Sequence, residues 1–255
     1  MIPINVSQRP AGDCAACSDA LDFQFDYAFQ PIVDVRRRSI YAHEALVRGP
    51  NGEAAASVLA RLTPANSYVF DQTSRIKAVE CAARLHMREL LSINFNANAV
   101  RDPRHCIRST FAAARANNFP VEQILFEVTE GERVADSGPL VEIFNAYREY
   151  GFKTAIDDFG AGYAGLNLLS DYQPDVLKID MALVRDVDRK VPRQAIVRAV
   201  AAMCGELGIA VLGEGVETSA ERDFLFDAGI ELMQGYYFCK PVFQGLGTID
   251  ASLWP

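Results

Sequence analysis

The 255-residue chain has no run of about 20 apolar residues free of charge. Its most apolar long segment, Gln194 to Gly213, carries Arg198 and Glu206, so no membrane insertion is expected. Positive charge is also short: 25 Lys and Arg stand against 33 Asp and Glu, a formal charge of -8. Proteins that grip DNA or another polyphosphate backbone concentrate positive charge, so DNA is not an expected partner. A basic N-terminal region leading into an apolar stretch and a small-residue cleavage site is missing, and a cytoplasmic location is expected. Histidine is scarce. His86 and His105 fall in helix-end and loop contexts, and none of the 3 histidines has metal-ligand spacing. A histidine-based phosphodiesterase or a Ser-His-Asp hydrolase is therefore disfavoured.

The 6 cysteines do not make a disulfide scaffold in a chain of this length. Cys81, Cys106, Cys204 and Cys239 read as small buried hydrophobes. Cys14 and Cys17 form a C-x-x-C with no second pair at zinc-site spacing and no preceding strand. A redox or metal role and a bland flexible leader both stay open for residues 1–22.

What the chain does have is a core-forming composition, 50% hydrophobic, and a repeated pattern. Short β-rich runs occur at Tyr27–Val33, Ile40–Val47, Leu90–Phe95, Ile124–Val128, Phe152–Ile156, Asp175–Ile179, Ile209–Leu212 and Ile230–Met233. Helical patterns separate them at Ala54–Arg61, Tyr68–Leu85, Cys106–Asn117, Leu140–Glu149, Tyr163–Ser170, Arg193–Leu207 and Ala220–Asp227. Eight strands alternating with helices close a parallel barrel. Only Asp34 to Ser39 joins the first two runs, too short for a parallel crossover, so that pair should be an antiparallel hairpin. The expected fold is α/β, a TIM-like (β/α)8 barrel with an antiparallel first strand, occupying residues 23–255 as one domain.

Active sites of such barrels lie at the C-terminal mouth. Here Glu44 lies inside the second run, Asn94 ends the third and Glu127 the fourth. Asp157 and Asp158 end the fifth, Lys178 the sixth and Glu214 the seventh, and Gln234 follows the eighth. So many carboxylates in one mouth repel one another unless cations offset them. They are hard oxygen donors without His or Cys, a set that suits two Mg²⁺ or Mn²⁺ ions over zinc or copper. The adjacent Asp157-Asp158 pair suits a bridge between two metals, the recurring arrangement for in-line displacement at phosphorus. Lys178 would be the one cation there, placed to stabilise developing charge or hold a water. His43, next to Glu44 on an alternating strand, should point away from the barrel interior.

An ordered series of motifs runs through these positions. It begins with Phe29-Gln30-Pro31-Ile32-Val33-Asp34 and Glu44-Ala45-Leu46-Val47-Arg48. It continues with Ile93-Asn94-Phe95-Asn96, Phe126-Glu127-Val128-Thr129-Glu130 and Asp157-Asp158-Phe159-Gly160-Ala161-Gly162-Tyr163. Leu177-Lys178-Ile179-Asp180, Gly213-Glu214-Gly215-Val216-Glu217 and Gln234-Gly235-Tyr236-Tyr237-Phe238 complete it, with Lys240-Pro241 at the close. From about Phe25 to about Phe243 the chain resembles the EAL family, the bacterial phosphodiesterases of cyclic di-GMP.

The resemblance implies hydrolysis of cyclic di-GMP to linear 5′-pGpG by a two-metal-ion mechanism. It implies Glu44, Asn94, Glu127 and Asp157 around one metal, and Asp157, Asp158 and a water-bridged Glu214 around the other. Lys178 would contact the hydrolytic water and Glu214 orient or deprotonate it, with Glu44, Lys178 and Glu214 as the catalytic set. Arg48 would reach a substrate phosphate, and Gln30, Leu46, Asn94, Asp180 and Gln234 would complete the substrate site. Glu130 and Glu217 would support these groups from behind, Glu130 by anchoring a regulatory loop, 158–165, whose glycines allow unusual backbone dihedrals. A homodimer and a sensor or regulator protein are the implied partners. Where many members carry Trp after the motif arginine, Arg48 is followed by Gly49-Pro50, as in members attached to BLUF blue-light sensors. No metal-site position is substituted. The alternative is a catalytically silent cyclic di-GMP receptor or protein-interaction module; an enolase-type barrel fits the paired aspartates poorly.

Overall fold

The computed structural model describes residues 21–100, 102–129, 138–161 and 165–254. Cys14, Cys17 and Glu130 lie outside the described residues, as do residues 162–164 and most of the expected leader. The first strand, β1 (Asp26–Asp34), turns back through a short loop into β2 (Ser39–Arg48), and the two pair antiparallel with Gln30 opposite Glu44. The expected hairpin is present. β3 (Leu90–Asn94), β4 (Ile124–Thr129), β5 (Lys153–Phe159), β6 (Val176–Ile179), β7 (Ala210–Gly213) and β8 (Leu232–Met233) then add in parallel. β8 meets β1 through Val33 opposite Met233, and the eight strands close into a barrel of TIM-like form.

The crossovers are α1 (Ala55–Leu59), α2 (Ser67–Arg84), α3 (Pro103–Ala116), α4 (Gly138–Glu149), α5 (Gly165–Asp171), α6 (Met181–Val184), α7 (Val191–Leu207) and α8 (Ser219–Asp227). Their ends follow local chemistry. Asp102 caps α3 by accepting from the Arg104 and His105 amides, with Pro103 in the first turn, so His105 sits in the helix and not in the expected loop. Thr218 and Glu221 form a reciprocal capping box on α8, and Gly208 ends α7 at φ 71°.

Two elements depart from the sequence expectation. The four-residue α6 follows β6 directly, capped by Asp180, whose side chain accepts from the Ala182 amide at 2.8 Å. β9 (Val242–Phe243) pairs with Ala28 and Phe29 of β1, beyond the β8 contact at Val33 and Asp34, and Gln244 follows it by donating to the Asp26 carboxylate at 2.7 Å. Both are shorter than the periodicity of either element can register.

Apolar packing falls in two regions. A large core lies between strands and helices. A small one, Ile32, Ala42, Leu125, Ala155, Val176, Leu212 and Leu232, fills the barrel interior below the mouth. His43, on the opposite face of β2 from Glu44, is buried, its Nδ1 3.8 Å from Glu89, and burial holds its pKa below the usual imidazole value.

Candidate active site

Strand alternation sets the site. Two residues along from each apolar floor residue the same face presents a polar one: Glu44 after Ala42, Glu127 after Leu125, Asp157 after Ala155, Lys178 after Val176 and Glu214 after Leu212. On antiparallel β1 the order reverses, Gln30 before Ile32. A polar layer therefore rests on an apolar one.

Lys178 is at its centre, with no exposure to solvent. Its Nζ lies 2.9 Å from Glu127 Oε2, 2.9 Å from Glu214 Oε1, 3.0 Å from Asp157 Oδ1 and 3.9 Å from Glu44 Oε1. Burial works against its charge, but the four carboxylates outweigh burial and hold the ammonium pKa well above its usual value. One ammonium cannot balance them all. Burial, reinforced by Glu44 and Asp157, pushes the Glu127 carboxyl up to about 8 in spite of Lys178 and of the hydrogen bond from Ser92 Oγ. Burial raises Glu214 well above the carboxylate range too.

Glu44 is held by neutral amides: Asn94 Nδ2 and Gln234 Nε2 each donate to one of its oxygens at 2.9 Å. Gln30 Nε2 donates to the Cys239 carbonyl at 3.2 Å, closing the wall between β1 and the chain after β8. Asp157 and Asp158 are neighbours, so a regular strand would aim them at opposite faces. The β5–β6 register instead shifts between Ile156 and Phe159, and Asp158 takes φ 55°, a left-handed conformation that aspartate tolerates better than most residues. Burial, with Asp157 and Asp180 nearby, raises the Asp158 pKa.

Ligand atoms of Glu44, Glu127 and Asp157 lie within 4.8 Å of one another, as do those of Asp157, Asp158 and Glu214. Asp157 belongs to both groups. The donor chemistry fits hard divalent cations: oxygen only, anionic in excess, converging from different strands.

A cavity of about 290 Å³ opens above this layer, with Gln30, Glu44, Asp158, Asp180, Glu214 and Gln234 on its walls. Leu46 and Arg48 share the Glu44 face of β2 but lie farther along it, where Arg48 Nη1 donates to the Val47 carbonyl at 2.8 Å. Glu217 reaches the cavity edge and ion-pairs with Arg185, whose hydrogen bond lowers its pKa. Ser92 was not singled out from the sequence. Its signal was there in the same alternation, midway between Leu90 and Asn94 on β3.

Comparison with known proteins agrees with this architecture. The EAL domain matches residues 15–241. A standalone versatile EAL protein from Vibrio cholerae O395, solved in a c-di-GMP bound form, is 48% identical, covers 92% of this chain and 99% of its own, and superposes with a TM-score of 0.89. The blue light- and temperature-regulated antirepressor BluF of Escherichia coli K12 is 34% identical over 95% of this chain and 59% of its own length. The probable cyclic di-GMP phosphodiesterase PdeG of the same organism is 33% identical over 84% of this chain and 44% of its own. The chain thus spans about half the length of these two curated relatives. With the motif series, the closed barrel and the carboxylate cluster at its mouth all in agreement, this chain belongs to the EAL domain family.

Proposed function

We propose that the chain is a cyclic di-GMP-specific phosphodiesterase that releases linear 5′-pGpG. The observation that carries this reading is the set of four carboxylates around one buried ammonium, with Asp158 beside them, at the mouth of the barrel. Such an excess of negative charge is costly unless divalent cations balance it. Glu44, Asn94, Glu127 and Asp157 would hold one Mg²⁺ or Mn²⁺, and Asp157, Asp158 and Glu214 the other. Bound there, the ions would draw charge from the phosphoryl oxygens of a diester.

The chain's own groups divide the remaining work. Glu214, whose proton affinity burial has raised, is suited to accept a proton from the attacking water. As the water oxygen bonds to phosphorus, the P–O3′ bond breaks and O3′ leaves to take up a proton. The Lys178 ammonium donates toward the carboxylates and the water among them, fixing their orientation as negative charge grows. Gln30, Leu46, Arg48, Asn94, Asp180 and Gln234 would bind the nucleotide. Glu130 and Glu217 would support the site, and a homodimer or a sensor protein would regulate it.

One relative favours a second reading. BluF is named for antirepression, so binding without cleavage is the alternative. Product analysis separates the two. Purified chain with cyclic di-GMP and Mn²⁺ is expected to yield pGpG, and Lys178→Ala to lose at least about 100-fold in rate, the scale of losing a well-placed charge donor. Intact ligand retained by the unsubstituted protein would establish a receptor instead.

A further inference from the structure

We propose that Ser92 is a positioning residue for one of the two metal ions: its hydroxyl aims the Glu127 carboxylate at the ion shared with Glu44 and Asp157. The ion at Asp157, Asp158 and Glu214 does not depend on it. This rests on the reading of the mouth as a two-metal site.

The inference starts from β3. Its neighbours β2 and β4 bring Glu44 and Glu127 into the mouth, while Ser92 and Asn94, the side chains that β3 turns to the same face, carry no charge. Both are hydrogen-bond donors, and each serves a different neighbour. Asn94 Nδ2 donates to Glu44 Oε1 at 2.9 Å, and Ser92 Oγ donates to Glu127 Oε1. In the strand register Ser92 is level with Glu44, and Asn94 with Glu127. The two bonds therefore cross diagonally, and β3 ties together the carboxylates on either side of it.

The Ser92 hydroxyl has one proton to give. The Leu125 carbonyl lies 3.5 Å away, at the limit of a hydrogen bond, whereas Glu127 is closer and anionic and makes the stronger acceptor. Both Ser92 and Glu127 are without solvent exposure. Lys178 Nζ holds Oε2 of Glu127 at 2.9 Å, and among the described residues Ser92 is the one hydrogen-bond donor to Oε1. With both oxygens held, the plane of the carboxylate is fixed. Glu44 and Asp157, whose ligand atoms lie within 4.8 Å of it, repel it. Without the hydroxyl, Oε1 keeps only that repulsion and the carboxylate is free to turn about its contact with Lys178.

The second group is held by other means. Asp157 Oδ1 accepts from the Asp158 amide at 2.9 Å and lies 3.0 Å from Lys178, and Glu214 lies 2.9 Å from Lys178. None of these contacts involves β3, so a loss at Ser92 should fall on one ion alone.

Mn²⁺ binding to the full chain by calorimetry, without nucleotide, tests this. Partners that orient a metal ligand from behind contribute about 10- to 100-fold in affinity, so Ser92→Ala should weaken one of two ions by that factor and leave the other within about twofold. In an Asp158→Ala background, where one ion is expected, Ser92→Ala should weaken that ion by the same factor. Ser92→Thr keeps the hydroxyl and should restore affinity to within about threefold, whereas Ser92→Cys, of similar volume but a weak donor, should behave like the alanine variant. If Ser92→Ala does not fold, the cysteine variant carries the same comparison. Unchanged affinity for both ions would overturn the proposal and leave the two-metal reading standing. Equal weakening of both ions, or full affinity in Ser92→Cys, would also overturn it, since the side chain would then support the fold or fill space. If the unsubstituted chain binds a single ion, its weakening or persistence in Ser92→Ala decides. No Mn²⁺ bound by the unsubstituted chain would overturn the two-metal reading together with this proposal.

Discussion

Ala155 and Asp157, Val176 and Lys178, Leu212 and Glu214 are pairs two residues apart, and in each the first lines the barrel floor and the second the polar mouth. The pleat makes such pairs share a face, which is why the polar layer could be read from the alternation of single residues. Asp158 could not be read that way. Its position depends on a bulge and a positive φ, neither written in residue type beyond the tolerance of aspartate for that conformation. A single-residue contact also gives a pH prediction away from the mouth. Burial raises the Asp26 pKa, but the hydrogen bonds from Gln244 and the Tyr27 amide, with the charges of Lys77 and Arg84, bring it net below 3.8. A carboxyl whose folded pKa is depressed adds stability above the unfolded value, and that stability is lost as pH falls through the folded one. Gln244→Ala should therefore make the loss of stability between about pH 5 and 3 shallower, by a few tenths of a kcal/mol at this half-exposed site, measured by urea titration.

Between elements, the tie joining α2 to α4 is a buried ion pair with an aromatic surround. Arg75 on α2 has no solvent exposure, pairs with Asp71 one turn earlier, and donates to the Tyr147 hydroxyl of α4 at 2.7 Å. Its guanidinium lies 5.3 Å from the Phe95 ring centroid and 5.6 Å from that of Phe126. Asp71 in turn accepts from the Asn96 amide at 2.9 Å, fixing the chain just beyond Asn94. Arg75→Leu should destabilise by about 3–5 kcal/mol because it strands a buried carboxylate. Asp71→Asn, added to it, should recover part of the loss while keeping the acceptor for Asn96, as urea denaturation at constant m-value would show. Elements of this length were legible: α2, α7 and α8 appear within two residues of where periodicity put them, whereas α3 begins at Pro103, three residues before the expected Cys106. α6 and β9 were not, since four residues and two residues carry no period.

For the whole molecule, closing eight strands concentrates negative charge that apolar packing alone does not offset. Cations that bind the folded barrel and not the unfolded chain should stabilise it by mass action. Mn²⁺ at 100 times its Kd is expected to add about 2.7 kcal/mol, reversed by EDTA. Asp157→Ala, common to both ligand groups, should remove most of that gain, and Asp158→Ala should leave one ion bound by calorimetric stoichiometry.

By itself the sequence determined what depends on neighbours along the chain: the strand–helix rhythm, the antiparallel opening hairpin, and the set of polar residues at strand ends. Tertiary structure decided which of those residues meet. Glu127 and Lys178 are 51 positions apart and touch at 2.9 Å, Gln234 and Glu44 190 apart at the same distance. Side-chain alternation and loop length are local properties of the backbone, whereas such contacts depend on strand stagger and on the return of β8 to β1.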